Sequence, residues 1–560
     1  MDINKRTILW IVFAVSLVIL WNNWQISTGK PSMFAPAPAQ TAKAPDAKSS
    51  ALPASAAATA GAAALPGAAP IVNGEPFKSE RITITTDVIR ADIDTLGGTI
   101  KRLELLKFKD GVDPTKNQVL FDQEGNKTYL GQMGLIGAPG LPNHTSGFVA
   151  KPGARMLNDA NQVQLVLESE QGGVKLTRTY TFKRGDYVID VRNDVTNTGA
   201  APVKPELYMQ LVHDGNKPEG DSYFNSSYTG PTMYTEAEHY KKMKFEQLEK
   251  AAAEAVKTGK PMAQDHPTKA DNGWVAISQH FFVSALVPQD KLARDIFTKK
   301  LDTNLYAIGV VQPLGTIAPG ATVSNDAKLY SGPQISKQLE AVTPGLELVK
   351  DYGWLTIIAK PLFWVMDNIH KMLGNWGWTI VLFTILLKLA FFPLSAAGFR
   401  SMAKVKQVTP KLQAIRERHK NDPAKMNQAT MELYKAEKIN PLGGCLPILV
   451  QMPVFIALYW VLQASVEIRG AAWIGWIHNL AAPDPFFILP VLYAISMFIS
   501  TRMNPQPADP MQAKMMMFMP LAFSVMFFFF PSGLVLYWVV NNVLSIGQQY
   551  VISKKFAPAK

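Results

Sequence analysis

The sequence predicts an α-helical membrane bundle of six spans joined to a large all-β domain on one side of the membrane. Three observations carry this. Apolar stretches of span-like composition occur once near the start and five times after residue 373. Residues 81 to 330 instead alternate polar and apolar residues in short runs. Lysine and arginine crowd into one loop between two apolar stretches. With 560 residues, 48% of them apolar, and a mean hydropathy of +0.03, the chain is too polar for a bundle alone and too rich in apolar runs for a soluble enzyme. The net charge of +12 concentrates between spans rather than on a nucleic-acid-type arm, so no DNA partner is expected.

Residues 1–26 carry Lys5-Arg6 followed by apolar Ile8 to Trp21. Ser27 and Gly29, with Pro31 behind them, make a weak cleavage site, so an uncleaved anchor with its basic flank inside is expected. From 27 to 75 alanine and proline dominate without apolar periodicity, which reads as a disordered tether. The β domain is placed at 76–340, with turns at Gly97-Gly98, Gly172-Gly173, Arg184-Gly185-Asp186 and Asn197-Thr198-Gly199, and one polar helix around Thr235 to Val256. Its histidines (His144, His213, His239, His266, His280) lack metal-ligand spacing, and no nucleophile elbow or phosphate loop accompanies them. No metal, cofactor or catalytic residue is expected. The single cysteine, Cys445, rules out an intramolecular disulfide and reads as a packing residue.

An amphipathic interfacial helix is expected over 341–373, kinked at Pro361. The spans follow at 374–398, 446–466, 486–501, 515–530 and 533–552. They alternate with an inner loop at 399–445, an outer loop at 467–485, a second inner loop at 502–514, and an inner tail at 553–560. Loop charge agrees with this direction. The 399–445 loop holds Arg400, Lys404, Lys406, Lys411, Arg416, Arg418, Lys420, Lys425, Lys435 and Lys438, whereas 467–485 holds only Arg469. Within the basic loop, apolar residues at helical spacing on both sides of Asn421-Asp422-Pro423 predict two amphipathic helices packed as an arm. Such an arm suits anionic lipid, ribosomal RNA or a nascent chain. The fourth and fifth spans are short, which calls for misjudged ends or a thinned bilayer. Methionines at 511, 515, 516, 517, 519 and 526 suit either ordinary membrane packing or a surface that repacks against many partners.

Lys388 is the most informative residue. It interrupts the apolar run from Trp376 to Phe392, where a cation costs about 2.5–3.5 kcal/mol. On a straight helix it lies about 18 Å from both Trp376 and Arg400, beyond easy snorkelling. Thr384, Lys388 and Ser395 are spaced to share one helix face, and Asn541, Ser545 and Gln548 repeat that spacing in the last span, beside Asn542 and Gln549. Gln451 and Gln463 add polar groups to the third span. Interhelical hydrogen bonds explain most of these. Lys388 differs, because Glu467, Asp484 and Asp509 all fall outside its depth, which leaves a hydrated cavity as its natural setting and argues against a proton relay.

Three stretches carry a family resemblance: KAEKINPLGGCLPILVQMPVF (435 to 455), DPMQAKMMMFMP (509 to 520) and FPSGLVLYWVVNN (530 to 542). They closely resemble the YidC-type bacterial membrane-protein insertases, relatives of the mitochondrial and chloroplast Oxa/Alb proteins. The anchor, tether and β-rich region resemble the Gram-negative branch. The resemblance implies that five of the six helices form a hydrophilic groove, open to cytoplasm and lipid and closed on the outer side. It implies a functional cation where Lys388 stands, a position commonly arginine, and substrate contacts at Thr384, Tyr537 and Trp538. It gives the outer, periplasmic domain a β-supersandwich of sugar-mutarotase-like shape. Implied partners are nascent inner-membrane proteins, the Sec translocon with its accessory subunits, and ribosomes. The rival readings are a polar-solute transporter or channel, which predicts solute flux, and an envelope enzyme or carbohydrate-binding protein acting through the β domain. The second predicts loss of function on removing residues 81 to 330.

Overall fold

Strands that alternate buried and exposed positions, with others buried at every position, build two stacked antiparallel sheets. The structure is a computed structural model and describes residues 71–72, 75–216, 218, 228–419, 422–437, 446–503, 515, 517–518, 522 and 524–555. The expected anchor, most of the tether, Lys420, Cys445, the 504–514 loop and much of the methionine cluster lie outside these residues. At the end of the tether a two-residue ladder pairs Ile71–Val72 with Glu75–Pro76.

Beyond that ladder the strands are β1 (Arg81–Thr85), β2 (Ile89–Asp94), β3 (Thr99–Lys109), β4 (Asn117–Val119), β5 (Tyr129–Ile136), β6 (Val149–Ala150), β7 (Gln162–Gln171), β8 (Val174–Lys183) and β9 (Val188–Asn197). They continue as β10 (Glu206–Asp214), β11 (Gly230–Thr235), β12 (His239–Lys242), β13 (Lys269–Ala270), β14 (Trp274–Ser278), β15 (Phe282–Pro288), β16 (Arg294–Asp302), β17 (Leu305–Pro313) and β18 (Thr322–Pro333). One sheet runs β12-β11-β14-β15-β18-β9-β8-β7-β6 and the other β13-β16-β17-β10-β5-β3-β2-β1, with β4 on β3. The β7–β8 hairpin turns through Gly172 and Gly173, both at positive φ (59° and 72°), the geometry a two-residue hairpin loop needs and glycine adopts freely. In β8 the inward positions are Val174, Leu176, Arg178, Tyr180 and Phe182, so a guanidinium shares the apolar face. Arg178 donates to Asn193 Oδ1 at 2.9 Å and Gly97 O at 3.1 Å.

The helix expected at Thr235 to Val256 starts ten residues later, as α1 (Phe245–Thr258). Residues 235–242 form the β11–β12 hairpin, with Thr235 opposite His239 and His239 at φ 57°. The helix opens only where Lys244 N finds Gln247 Oε1 at 2.8 Å.

Past the sandwich come α2 (Ser336–Val342), 3₁₀ turns at Leu346–Val349 and Gly353–Leu355, and α3 (Thr356–Leu373). The expected continuous interfacial helix is thus shorter, although Pro361 does sit inside it. Then follow α4 (Trp376–Ala390), α5 (Phe392–Arg418), α6 (Pro423–Ala436), α7 (Leu446–Ala464), α8 (Ile488–Met503) and α9 (Ser532–Lys555). Most of the basic loop residues lie in helices α5 and α6, with Asp422 Oδ1 accepting from Lys425 N at 3.1 Å to start α6.

Among the described residues no single helix is long and apolar enough to cross a membrane, but α4 and α5 pass together as a pair bent by 67°. The expected 374–398 rod is therefore broken at Phe391. Pro393 has no N–H for the carbonyl one turn back, so the helix can change direction there. The straight-helix distance from Lys388 to Arg400 fails with it. Helices α3, α4, α7, α8 and α9 pack around one apolar cluster that includes Met366, Ile380, Leu458, Tyr493 and Val535.

Candidate functional site

One chain of hydrogen bonds ties three helices inside that cluster. Lys388 Nζ on α4 donates to Ser545 Oγ on α9 at 2.7 Å. Ser545 Oγ donates to the Asn541 carbonyl at 2.8 Å, and Gln451 Nε2 on α7 donates to Asn541 Oδ1 at 2.8 Å. Lys388 is 7% exposed, and among the described residues no carboxylate pairs with it. A hydroxyl takes one of the ammonium's three donors and supplies no opposing charge. Four of the residues singled out in the sequence are thus brought together: Lys388, Gln451, Asn541 and Ser545.

The others lie differently. Thr384 is fully buried, and its hydroxyl donates to Ile380 O at 2.6 Å on its own helix. Ser395 is buried but lies beyond the bend, so it does not extend the Thr384–Lys388 face along one straight helix. Gln548 is half-buried, with an Oε1 that has no hydrogen-bond partner among the described residues. Tyr537 is buried and stacked on Phe455, 6.4 Å between centroids. Trp538 meets Phe455, Tyr493 and Phe527 edge-on at 4.5, 5.7 and 5.6 Å. Asn542 reaches Ser496 Oγ on α8 at 3.3 Å, a contact missed in the sequence, where Ser496 is one hydroxyl in an apolar run. On the arm, Arg400, Lys404, Lys411 and Arg418 are exposed and Arg416 is half-buried; Lys411 pairs with Glu437 at 2.5 Å. Lys406 lies within α5.

A folded cap closes one end of this bundle. Residues 465–487 lie across the start of α9: Ser532 N donates to Ala482 O at 2.7 Å and Gly533 N to Leu480 O at 2.9 Å. Trp473 lies against Gly377, where an added Cβ would stand 2.1 Å from the indole, so only glycine fits there. Asp484 is buried and accepts from Trp476 Nε1 at 3.0 Å and Leu489 N at 2.8 Å, which organises the start of α8. The cap also holds the sandwich. Arg469 donates to Gln118 Oε1 at 2.9 Å, and at the adjoining end of α7 Gln463 O lies 2.8 Å from His280 Nε2. Lys350, just before α3, donates to both oxygens of Glu467 at 3.0 Å. Burial drives the Lys350 ammonium below its ordinary pKa, and the Glu467 charge pulls it back up.

Residues 81–365 match the family model described as YidC periplasmic domain, and residues 368–559 that described as 60Kd inner membrane protein. The membrane protein insertase YidC of Herminiimonas arsenicoxydans is 58% identical, with 100% of both chains covered. That of Janthinobacterium sp. (strain Marseille) is 57% identical, with 99% of each covered. Among solved structures, an active YidC insertase with its first transmembrane domain resolved aligns with 84% of this chain and 92% of its own, at 18% identity and a TM-score of 0.39. A putative aldose 1-epimerase from Escherichia coli K12 aligns with 45% of this chain and 99% of its own, at 12% identity and a TM-score of 0.28.

Proposed function

Because the chain belongs to the YidC family of membrane protein insertases, we propose that it inserts inner-membrane proteins by holding one unneutralised cation within a polar groove of its helical bundle. It is an inner-membrane protein with a periplasmic domain, and its work is not enzymatic. The observation that carries the groove reading is the Lys388–Ser545 contact. Among the described residues two ammonium donors stay available beside a hydroxyl, so an acidic or polar segment entering the groove gains an interaction that Lys388 does not already satisfy there.

In this reading the polar segment of a substrate enters from the cytoplasmic side and meets Lys388 part-way across. The cap over α4 and α9 supports closure of the periplasmic side. Helix α8 has 16 residues, about 24 Å at 1.5 Å per residue against about 30 Å of hydrocarbon, which favours a locally thinned bilayer. The substrate's own apolar span then enters lipid, each buried CH₂ contributing about 0.8 kcal/mol, and no ATP is required. Thr384, Ser395, Tyr537, Trp538 and Gln548 line or support this path. The α5–α6 arm, with Lys404, Lys411 and Arg418 outward, serves ribosomes and anionic lipid, and the Sec translocon with its accessory subunits is a further partner.

Depleting the protein and following protease protection of newly made membrane proteins tests the function. Loss of the protected fragments is expected, and full protection in depleted cells would overturn it.

A further inference from the structure

Where the sandwich meets α3, a cavity of about 290 Å³ is lined by Tyr240, Lys242, Lys350, Asp351, Thr356 and Lys360, among others. None of the Lys388 ladder residues lines it. Three lysines face a single lining carboxylate. Asp351 is already engaged, accepting from Gly353 N at 2.9 Å and from Lys242. Lys350 is committed to Glu467, whereas Lys360 is exposed at the rim. Thr356 opens the 18-residue helix α3 directly after the 3₁₀ turn Gly353–Leu355, its hydroxyl donating to Gly353 O at 2.6 Å. Ammonium groups gathered around one hollow suit an oxyanion.

The surroundings say which oxyanion. Trp354 and Ile357, flanking Thr356, are 78% and 88% exposed, and Trp364 further along α3 is also exposed. Large apolar side chains next to a cationic hollow belong at a lipid surface, aromatic rings at headgroup level. We propose that this cavity binds the phosphate of an anionic phospholipid headgroup, with Lys360 and Lys242 on the phosphate and Trp354 and Ile357 against the acyl chains. This site is separate from the groove and does not depend on the insertion mechanism.

The test uses the full-length protein in neutral detergent, stripped of lipid and titrated calorimetrically with dihexanoyl phosphatidylglycerol, dihexanoyl phosphatidylcholine and inorganic phosphate. Saturable binding of phosphatidylglycerol is expected, with Lys360→Glu weakening it at least about tenfold, the loss of one charge-assisted contact, and Lys360→Arg retaining it. Trp354→Ala should weaken phosphatidylglycerol while leaving inorganic phosphate unchanged, and Lys388→Ala should change neither. Because Lys360 is exposed, its substitution leaves the packing around Lys350 intact. Equal binding by Lys360→Glu and the parent would overturn the site. Inorganic phosphate binding as tightly as phosphatidylglycerol would make it a free-anion site, and phosphatidylcholine binding as tightly would leave only the apolar rim; either refutes the proposal.

Discussion

Lys350 and Lys388 are both buried lysines, yet the molecule treats them in opposite ways. At the junction of sandwich and bundle, the Lys350 side chain is 0% exposed, holds both oxygens of Glu467, and stands 4.1 Å from the Phe363 ring centroid. Inside the bundle, Lys388 has the Ser545 hydroxyl and, among the described residues, no carboxylate. Arg178 in the sandwich lies between the two, held by a side-chain amide, a carbonyl and the Phe148 ring at 5.4 Å, with Nη2 unpartnered among the described residues. A buried cation held by a carboxylate fastens a structure. Under the proposed function, one in the helical bundle with no opposing charge stores an electrostatic demand that a passing chain can meet.

The largest expected effect comes from breaking the fastened pair. Glu467→Gln leaves the Lys350 charge buried without its partner and should destabilise the junction by about 3–5 kcal/mol, read as earlier thermal unfolding and faster proteolysis. The pH dependence follows. Unfolded Lys350 keeps its proton up to about 10.5, while the folded form loses it at lower pH, so between those values the unfolded chain binds more protons and stability rises with pH. Removing Glu467 deepens that depression. The variant should therefore recover more thermal stability than the parent on moving from about pH 8 to about pH 10, and an equal response would show that Glu467 does not support the charge.

Arg178→Met comes next. It leaves Asn193 Oδ1 and Gly97 O without their donor, at about 1–3 kcal/mol per stranded group, seen as a lower unfolding midpoint of the full-length protein with insertion retained at permissive temperature. Gly377→Ala forces the Trp473 indole off the start of α4 and should cost about 1–3 kcal/mol. Exposure of Trp473 to a fluorescence quencher should rise; unchanged quenching would argue against the cap geometry. Ser545→Ala is expected to change stability least, by about 1 kcal/mol or less, because Lys388 merely gives up one neutral acceptor. If it destabilised as much as Glu467→Gln, Lys388 would be a fastened cation and the contrast would collapse.

Much of the sandwich was legible because period-2 alternation and glycine pairs are local signals; β7 and β8 run into Gly172-Gly173 as the pattern predicts. The start of α6 was legible for the same reason, since Asp422 and Pro423 are local helix-start signals. The first helix of the β domain was misplaced because the 235–242 hairpin depends on a left-handed His239, for which side-chain pattern gives little warning. The bend at Phe391 sits in the apolar stretch after Lys388, and Pro393 is its visible signal. The polar positions of α4, α7 and α9 were visible as costly residues, but which of them meet is a tertiary fact: Lys388 and Ser545 stand 157 positions apart. Lys350 falls within the expected 341–373 interfacial helix, and its partner lies 117 positions away, so no local pattern announces the pair.

The most direct test is insertion of a substrate with an acidic outer segment by Lys388→Arg, Lys388→Ala and Lys388→Glu variants, followed by protease protection. A cation that acts by unspent charge predicts near-parental insertion for arginine, a marked loss for alanine and the deepest loss for glutamate. Parental insertion by all three would contradict it and remove Lys388 from the mechanism.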